Sequence, residues 1–133
     1  MRNAILLTAI LSVLTACTSR EVRDERPLSP AVGQIRAVVK SHNDEVKACY
    51  DEALSRDPEL EGTLVFRYDI HWPGRAKNIR LATVGSTIED TELEACVTGV
   101  IARMKFEGIK PGLVYEVTKY PYNFSTAKKI AKQ

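Results

Sequence analysis

The side chains most able to do chemistry in this 133-residue chain are three cysteines, Cys17, Cys49 and Cys96, and two histidines, His42 and His71. A nucleophilic cysteine needs an imidazole base within reach and an electropositive, partly exposed setting. His42 precedes Cys49 on one predicted helix by roughly 10 Å along the axis, too far to serve as its base. His71 falls on the outward side of a predicted strand. A zinc site wants four ligands at closer spacings than two cysteines and two scattered histidines supply. The neighbouring acids Asp51 and Glu52 invite an acid–base reading, but no second carboxylate cluster is placed to flank a substrate, and a solvated helix face accounts for them. No phosphate loop or triad motif is present. The reading is of a protein without catalytic residues, metal ligands or cofactor. Cys49 and Cys96 are left with three uses: a bridge, reduced structural thiols, or chemistry.

The elements that position these cysteines follow from apolar spacing. Val32, Ile35, Val38, Val39, His42, Val46, Cys49, Tyr50, Ala53 and Leu54 recur at three- and four-residue intervals, predicting one long amphipathic helix that ends before Pro58. His42 is read as a border or core histidine. Thr63 to Trp72 alternates, with Leu64, Phe66, Tyr68, Ile70 and Trp72 on one face, as a strand with one buried side does. Trp72 is expected to plug the core beneath a type II turn over Trp72–Arg75. Ala76 to Val84 returns with Ile79, Leu81 and Thr83 on one face, making a hairpin. Asp90 is a predicted N-cap, and Leu93, Cys96, Val97, Val100, Ile101 and Met104 form the apolar stripe of a second helix. Gly112 to Phe124 reads as a third strand whose far end, at Pro121, lies on an edge or leaves the sheet. The fold class is α+β: a small two-layer sandwich in the order α-β-β-α-β, with two helices on one face of an antiparallel three-stranded sheet.

The N-terminus addresses compartment. Arg2 precedes an apolar run from Ala4 to Leu14, too short for a membrane span, which needs about 20 residues, and suited to a secretory signal. Leu14-Thr15-Ala16-Cys17 then resembles a lipobox, in which the cysteine thiol takes a diacylglyceryl group before cleavage. The expectation is that residues 1–16 are removed, that Cys17 is lipidated, and that Thr18, not being aspartate, directs the anchor to the outer membrane with the domain facing the periplasm. Residues 17–30 form a charged tether that extends at most about 43 Å beyond the anchor. The folded domain covers 31–124, and 125–133 is a basic tail. Without its leader the chain carries a formal charge of +1, because Arg2 is the only charge lost from a balance of 19 Lys+Arg against 17 Asp+Glu. That makes no electrostatic case for nucleic acid.

In an exported chain, cysteines meet an oxidising compartment. With Cys17 committed to lipid, two remain, each on the core-facing stripe of its own helix, and both helices must cover the same sheet face. These points favour a Cys49–Cys96 bridge over thiols or chemistry.

The run CYDEAL (Cys49–Leu54), then PELEGTLVFRYDI, PGRAKNIRL, LEACVTGVIARMKF and the closing YPYNF, resembles the AgmX/PglI C-terminal domain, a family similar to the C-terminal domain of TonB-type energy transducers. The likeness covers about Ile35 to Phe124. It implies a periplasmic binding module without enzymatic activity. It also implies a habit of pairing a sheet edge with an extended peptide of another envelope protein. Here that edge is the third strand, with Tyr115, Val117, Lys119 and Tyr120 as candidate partner-binding residues. Lys119 and Pro121 also suit an edge blunted against aggregation. With a lipid anchor in place of an inner-membrane helix and a long proline-rich reach, the chain departs from a transducer, so the force-carrying role is not implied. The functional expectation is an accessory lipoprotein of a motility, secretion or uptake complex. The alternative is a structural envelope lipoprotein that binds peptidoglycan or another glycan through aromatic groups and the tail lysines Lys128, Lys129 and Lys132.

Overall fold

The computed structural model describes residues 32–126. The leader, Cys17, the tether and most of the basic tail lie outside the described residues. The elements run α1 (Val32–Ser41), α2 (Asn43–Arg56), β1 (Gly62–His71), β2 (Arg75–Leu81), α3 (Thr91–Arg103) and β3 (Val114–Phe124). The sheet is antiparallel, in the order β2-β1-β3. The α+β class, the three strands and the helix layer on one sheet face match expectation. The single first helix does not.

That helix is broken at His42, and the competing hydrogen bonds explain why. The Val38 carbonyl, which an unbroken helix would offer to the His42 amide, is engaged by Ser41 Oγ at 2.7 Å and by His42 Nδ1 at 2.9 Å. The His42 amide turns instead to the Val39 carbonyl at 3.1 Å, a tighter i→i−3 bond. Serine and histidine side chains thus interrupt the ladder, and α2 begins afresh with Asp44 and Glu45 in its first turn, where the helix dipole favours them.

β1 is the spine. Leu64, Phe66, Tyr68 and Ile70 are fully buried beneath the helices, as their alternation requires. Val65, on the opposite face, is also buried because the segment after β2 folds alongside it. Ala82 N donates to Val65 O at 2.7 Å, and beyond it side chains take over the ladder: Ser86 Oγ accepts from Val65 N, and Thr87 Oγ1 from Thr63 N, each at 2.9 Å. The second strand accordingly ends at Leu81 rather than Val84. Thr83 and Val84 bulge outward into solvent, and Gly85 at φ +96° makes the return.

Parity within the neighbouring strands is set by bulges. Leu81 lies opposite Phe66 and Ala76 opposite Ile70, an odd and an even residue on one face. The register shift between Arg67 and Asp69, with Asn78 at φ +51°, reconciles them. The hairpin turn also differs from expectation. It runs His71 to Gly74, closed by Gly74 N donating to His71 O at 2.6 Å, with a cis Trp72–Pro73 peptide. The strand therefore ends one residue early, and Trp72 sits in the turn, 57% exposed, not in the core.

Candidate functional site

Cys49 and Cys96 are joined as a disulfide, their Cα atoms 5.8 Å apart, within the range such bridges span. The bond staples α2 to α3 over the buried face of β1. Cys49 is buried and Cys96 half-buried, so the bridge is structural in position. Around it, Arg103 of α3 reaches Glu45 of α2 at 2.7 Å and holds the Glu45 carboxyl below its ordinary range, chiefly through that hydrogen bond. Arg56 at the end of α2 pairs with Asp90 and Glu92 at the start of α3.

β3 is an outer strand, hydrogen-bonded to β1 on one side only. Its pairing with β1 runs from Val114 opposite His71 to Phe124 opposite Gly62, so of the two alternatives the sequence left for Pro121 the edge is the one observed, and the strand does not leave the sheet there. Val65, the partner of Pro121, directs its own amide and carbonyl toward the β2 side, to Ser86 and Ala82. The missing N–H of Pro121 therefore faces the open edge, where the β1–β3 ladder loses nothing.

A register shift between Phe66 and Tyr68 marks a bulge in β3 near Thr118 and Lys119. It places Tyr115, opposite Ile70, and Val117, opposite Tyr68, on the same helix-facing side as Tyr120, opposite Phe66. Val117 is buried; Tyr115 and Tyr120 are half-buried. Lys119 is exposed on the other face of the sheet, near Gly85 and Val65. The four candidate residues are thus divided, three toward the helix layer and one away. At the bulge Arg67 Nε donates to the Thr118 carbonyl at 2.9 Å.

The helix layer does not fully roof this strand. A cavity of about 370 Å³ runs along β3, lined by Ile35 and Arg36 of α1 with Tyr115, Val117 and Tyr120. A wider groove of about 790 Å³ continues between α2 and the end of β3, lined by Val46, Tyr50 and Leu54 on one wall and Tyr120, Tyr122 and Phe124 on the other. Within and beneath it lies a tyrosine cluster. Tyr120 and Tyr122 rings are 5.2 Å apart, and Tyr122 meets Phe66 edge-on at 5.9 Å. Tyr68 Oη and Tyr122 Oη are buried without a hydrogen-bond partner among the described residues, and desolvation drives both phenols well above their ordinary pKa. Tyr50 differs: its hydroxyl donates to the Leu60 carbonyl and ties α2 to the start of β1.

The groove was not foreseen from the sequence. Missed with it was the break between α1, which lines the cavity, and α2, which lines most of the helix wall of the groove. The signal that could have revealed it is Ser41-His42-Asn43, three residues that compete with the helical backbone, set in the middle of a helical run. Among the described residues no group of three or more His, Cys, Asp or Glu could hold a metal ion, and no helix is long and apolar enough to cross a membrane. His71 and Cys49 belong to different parts of the domain, one at the hairpin end of β1 and one under α3. No family model, curated protein or solved structure matches the chain.

Proposed function

We propose that the domain is a non-enzymatic interaction module that takes an extended segment of an envelope protein as an added strand on the open edge of β3. The observation that carries this reading is the position of β3: an outer strand with one unpaired lateral edge, flanked by a groove that α1 and α2 leave uncovered. Main-chain groups of the edge would supply affinity, and alternate side chains of the incoming strand would enter the groove beside Val117 and Tyr120. Pro121 offers no donor and Arg67 already occupies the Thr118 carbonyl, so pairing is confined to the stretch from Val114 to Val117. The likeness to the AgmX/PglI C-terminal domain supports the same habit. The lipobox-like Leu14–Cys17 supports an outer-membrane anchor at Cys17 with the domain in the periplasm, and the disulfide suits an oxidising compartment.

The test is in-cell photo-crosslinking from the exposed positions Glu116 and Lys119, with mass spectrometry of the adducts. Capture of one protein from Glu116, weakened from Lys119 on the far side of the bulge, supports strand addition. An absence of protein adducts while the domain is folded and its bridge closed rejects it and turns attention to glycan binding.

A further inference from the structure

The end of the sheet opposite to the groove's wide mouth carries an apolar cluster that meets the proposed edge site only at Val114. Trp72 stands in the β1–β2 turn at 57% exposure. Val114, which pairs with His71, is 56% exposed, and Leu113 beside it is 38% exposed. The ladder ends with Val114 opposite His71, and Leu113 and Trp72 are the next residues beyond it on the two chains, so the three residues share one end of the sheet, with Pro73 following in the turn.

Basic residues lie in the segments that adjoin this end of the sheet. Arg75 bridges to Lys105 through the backbone, and Phe106 N donates to Gly74 O at 2.8 Å, which fixes the 103–106 segment against the turn. Lys110 begins the turn that ends at Leu113, whose amide it receives at 3.1 Å. Glu107 is the one acid in the stretch from Lys105 to Val114. Lys105 and Lys110 are exposed and form no ion pair among the described residues.

An exposed tryptophan sharing one end of a sheet with two aliphatic side chains and a proline, next to a segment that carries two lysines without ion pairs among the described residues, is a composition that partitions to a lipid–water interface. The indole prefers the headgroup level, the aliphatics reach the acyl boundary, and the lysines meet anionic headgroups. A stable protein interface buries about 800 Å² per partner, much more than three side chains present. We infer that this end of the sheet seats on an anionic lipid surface, with Trp72 as the inserted side chain. The inference stands on the cluster and its charges and needs neither the β3 reading nor the Cys17 anchor.

Trp72 is the only tryptophan in the chain, so its emission reports its own surroundings. The experiment uses the full chain with vesicles of phosphatidylglycerol and phosphatidylcholine, or phosphatidylcholine alone, each with brominated acyl chains. The expected result is a blue shift and bromine quenching with anionic vesicles only. Lys105→Glu with Lys110→Glu should weaken that quenching about tenfold or more at equal lipid. Three results would overturn the inference: no quenching even when the chain cosediments with anionic vesicles through another segment, equal quenching in neutral vesicles, or quenching retained by the charge-reversed variant. Emission unmoved by vesicles but shifted by lipid-free envelope protein would also overturn it, in favour of a protein contact.

Discussion

The Arg56 guanidinium donates to both carboxylate oxygens of Asp90, at 3.0 and 3.1 Å, across 34 residues of chain, while Asp90 Oδ1 also accepts from Leu93 N at 2.8 Å. One carboxylate therefore caps α3 and holds the end of α2 beside it. The Leu93 amide, followed by the Arg56 pairing, keeps the Asp90 carboxyl below its ordinary range.

From this, Asp90→Ala should cost about 1 kcal/mol through the lost cap. Because the folded state holds the Asp90 proton less tightly than the unfolded chain, the carboxylate's stabilisation is present above its unfolded value of about 4 and is lost as pH falls through its lower folded value. Asp90→Asn should keep most of the cap and remove that part of the acid sensitivity. Urea midpoints of the three proteins at neutral pH and near pH 3 separate capping from charge.

Gly74 should tolerate no side chain. It lies at φ +108°, and a Cβ there would come within 1.8 Å of the Phe106 carbonyl oxygen, a backbone atom that cannot rotate away. Gly74→Ala is expected to destabilise by about 3 kcal/mol or more, combining a left-handed backbone with a clash. Gly108, also at positive φ but with nothing within 4 Å, serves as the control. Gly108→Ala should lose only the backbone part, about 1 kcal/mol. Thermal melts of the two variants give the comparison.

The Cys49–Cys96 bridge spans a sequence separation of 47, worth roughly 4 kcal/mol in the chain-entropy account. Replacing both cysteines by alanine should lower the denaturation midpoint by a corresponding amount, and dithiothreitol should do the same to the parent chain while leaving the variant unmoved. A double variant as stable as the parent would show that the packing of α2 on α3 suffices alone.

Tyr68→Phe should be neutral or mildly stabilising near pH 7, since it removes a buried hydroxyl that has no partner among the described residues. At high pH the parent should weaken. The unfolded chain releases its tyrosine protons near pH 10, while burial holds those of Tyr68 and Tyr122 in the folded state, so stability falls as pH rises above about 10. Phenylalanine at either position should flatten that alkaline decline, measured by denaturation midpoints from pH 8 to 11.

Much of the fold was legible in the sequence, and for identifiable reasons. The alternation of Leu64, Phe66, Tyr68 and Ile70 reports a half-buried strand directly, and the stripe of α3 with its Asp90 cap reports a helix and its start. The disulfide followed from two cysteines facing one sheet. What escaped were local substitutions of one hydrogen bond for another. Ser41 and His42 take the Val38 carbonyl, Ser86 and Thr87 take the Val65 and Thr63 amides, and the Asn78 and Thr118 regions shift register. The exchanged hydrogen bonds leave the apolar pattern as it is, so periodicity is blind to them, while the bulges show only as a switch of parity, as from Tyr115 and Val117 to Tyr120 and Tyr122. Two of them bear on the candidate site: the break at His42 separates α1, beside the cavity, from α2, beside the groove, and the bulge in β3 turns Lys119 away from Val117.

The placement of the bridge has a topological result. The covalent ring closed by Cys49 and Cys96 contains the last turns of α2, all of β1 and β2, and the start of α3, and β3 follows it in the chain. β3 is thus the sheet strand whose attachment to the ring rests on hydrogen bonds and side-chain packing alone. Its opening and reclosing need not disturb the ring, the arrangement expected of a separate unit of local unfolding. Amide hydrogens of β3 should exchange ahead of those of β1.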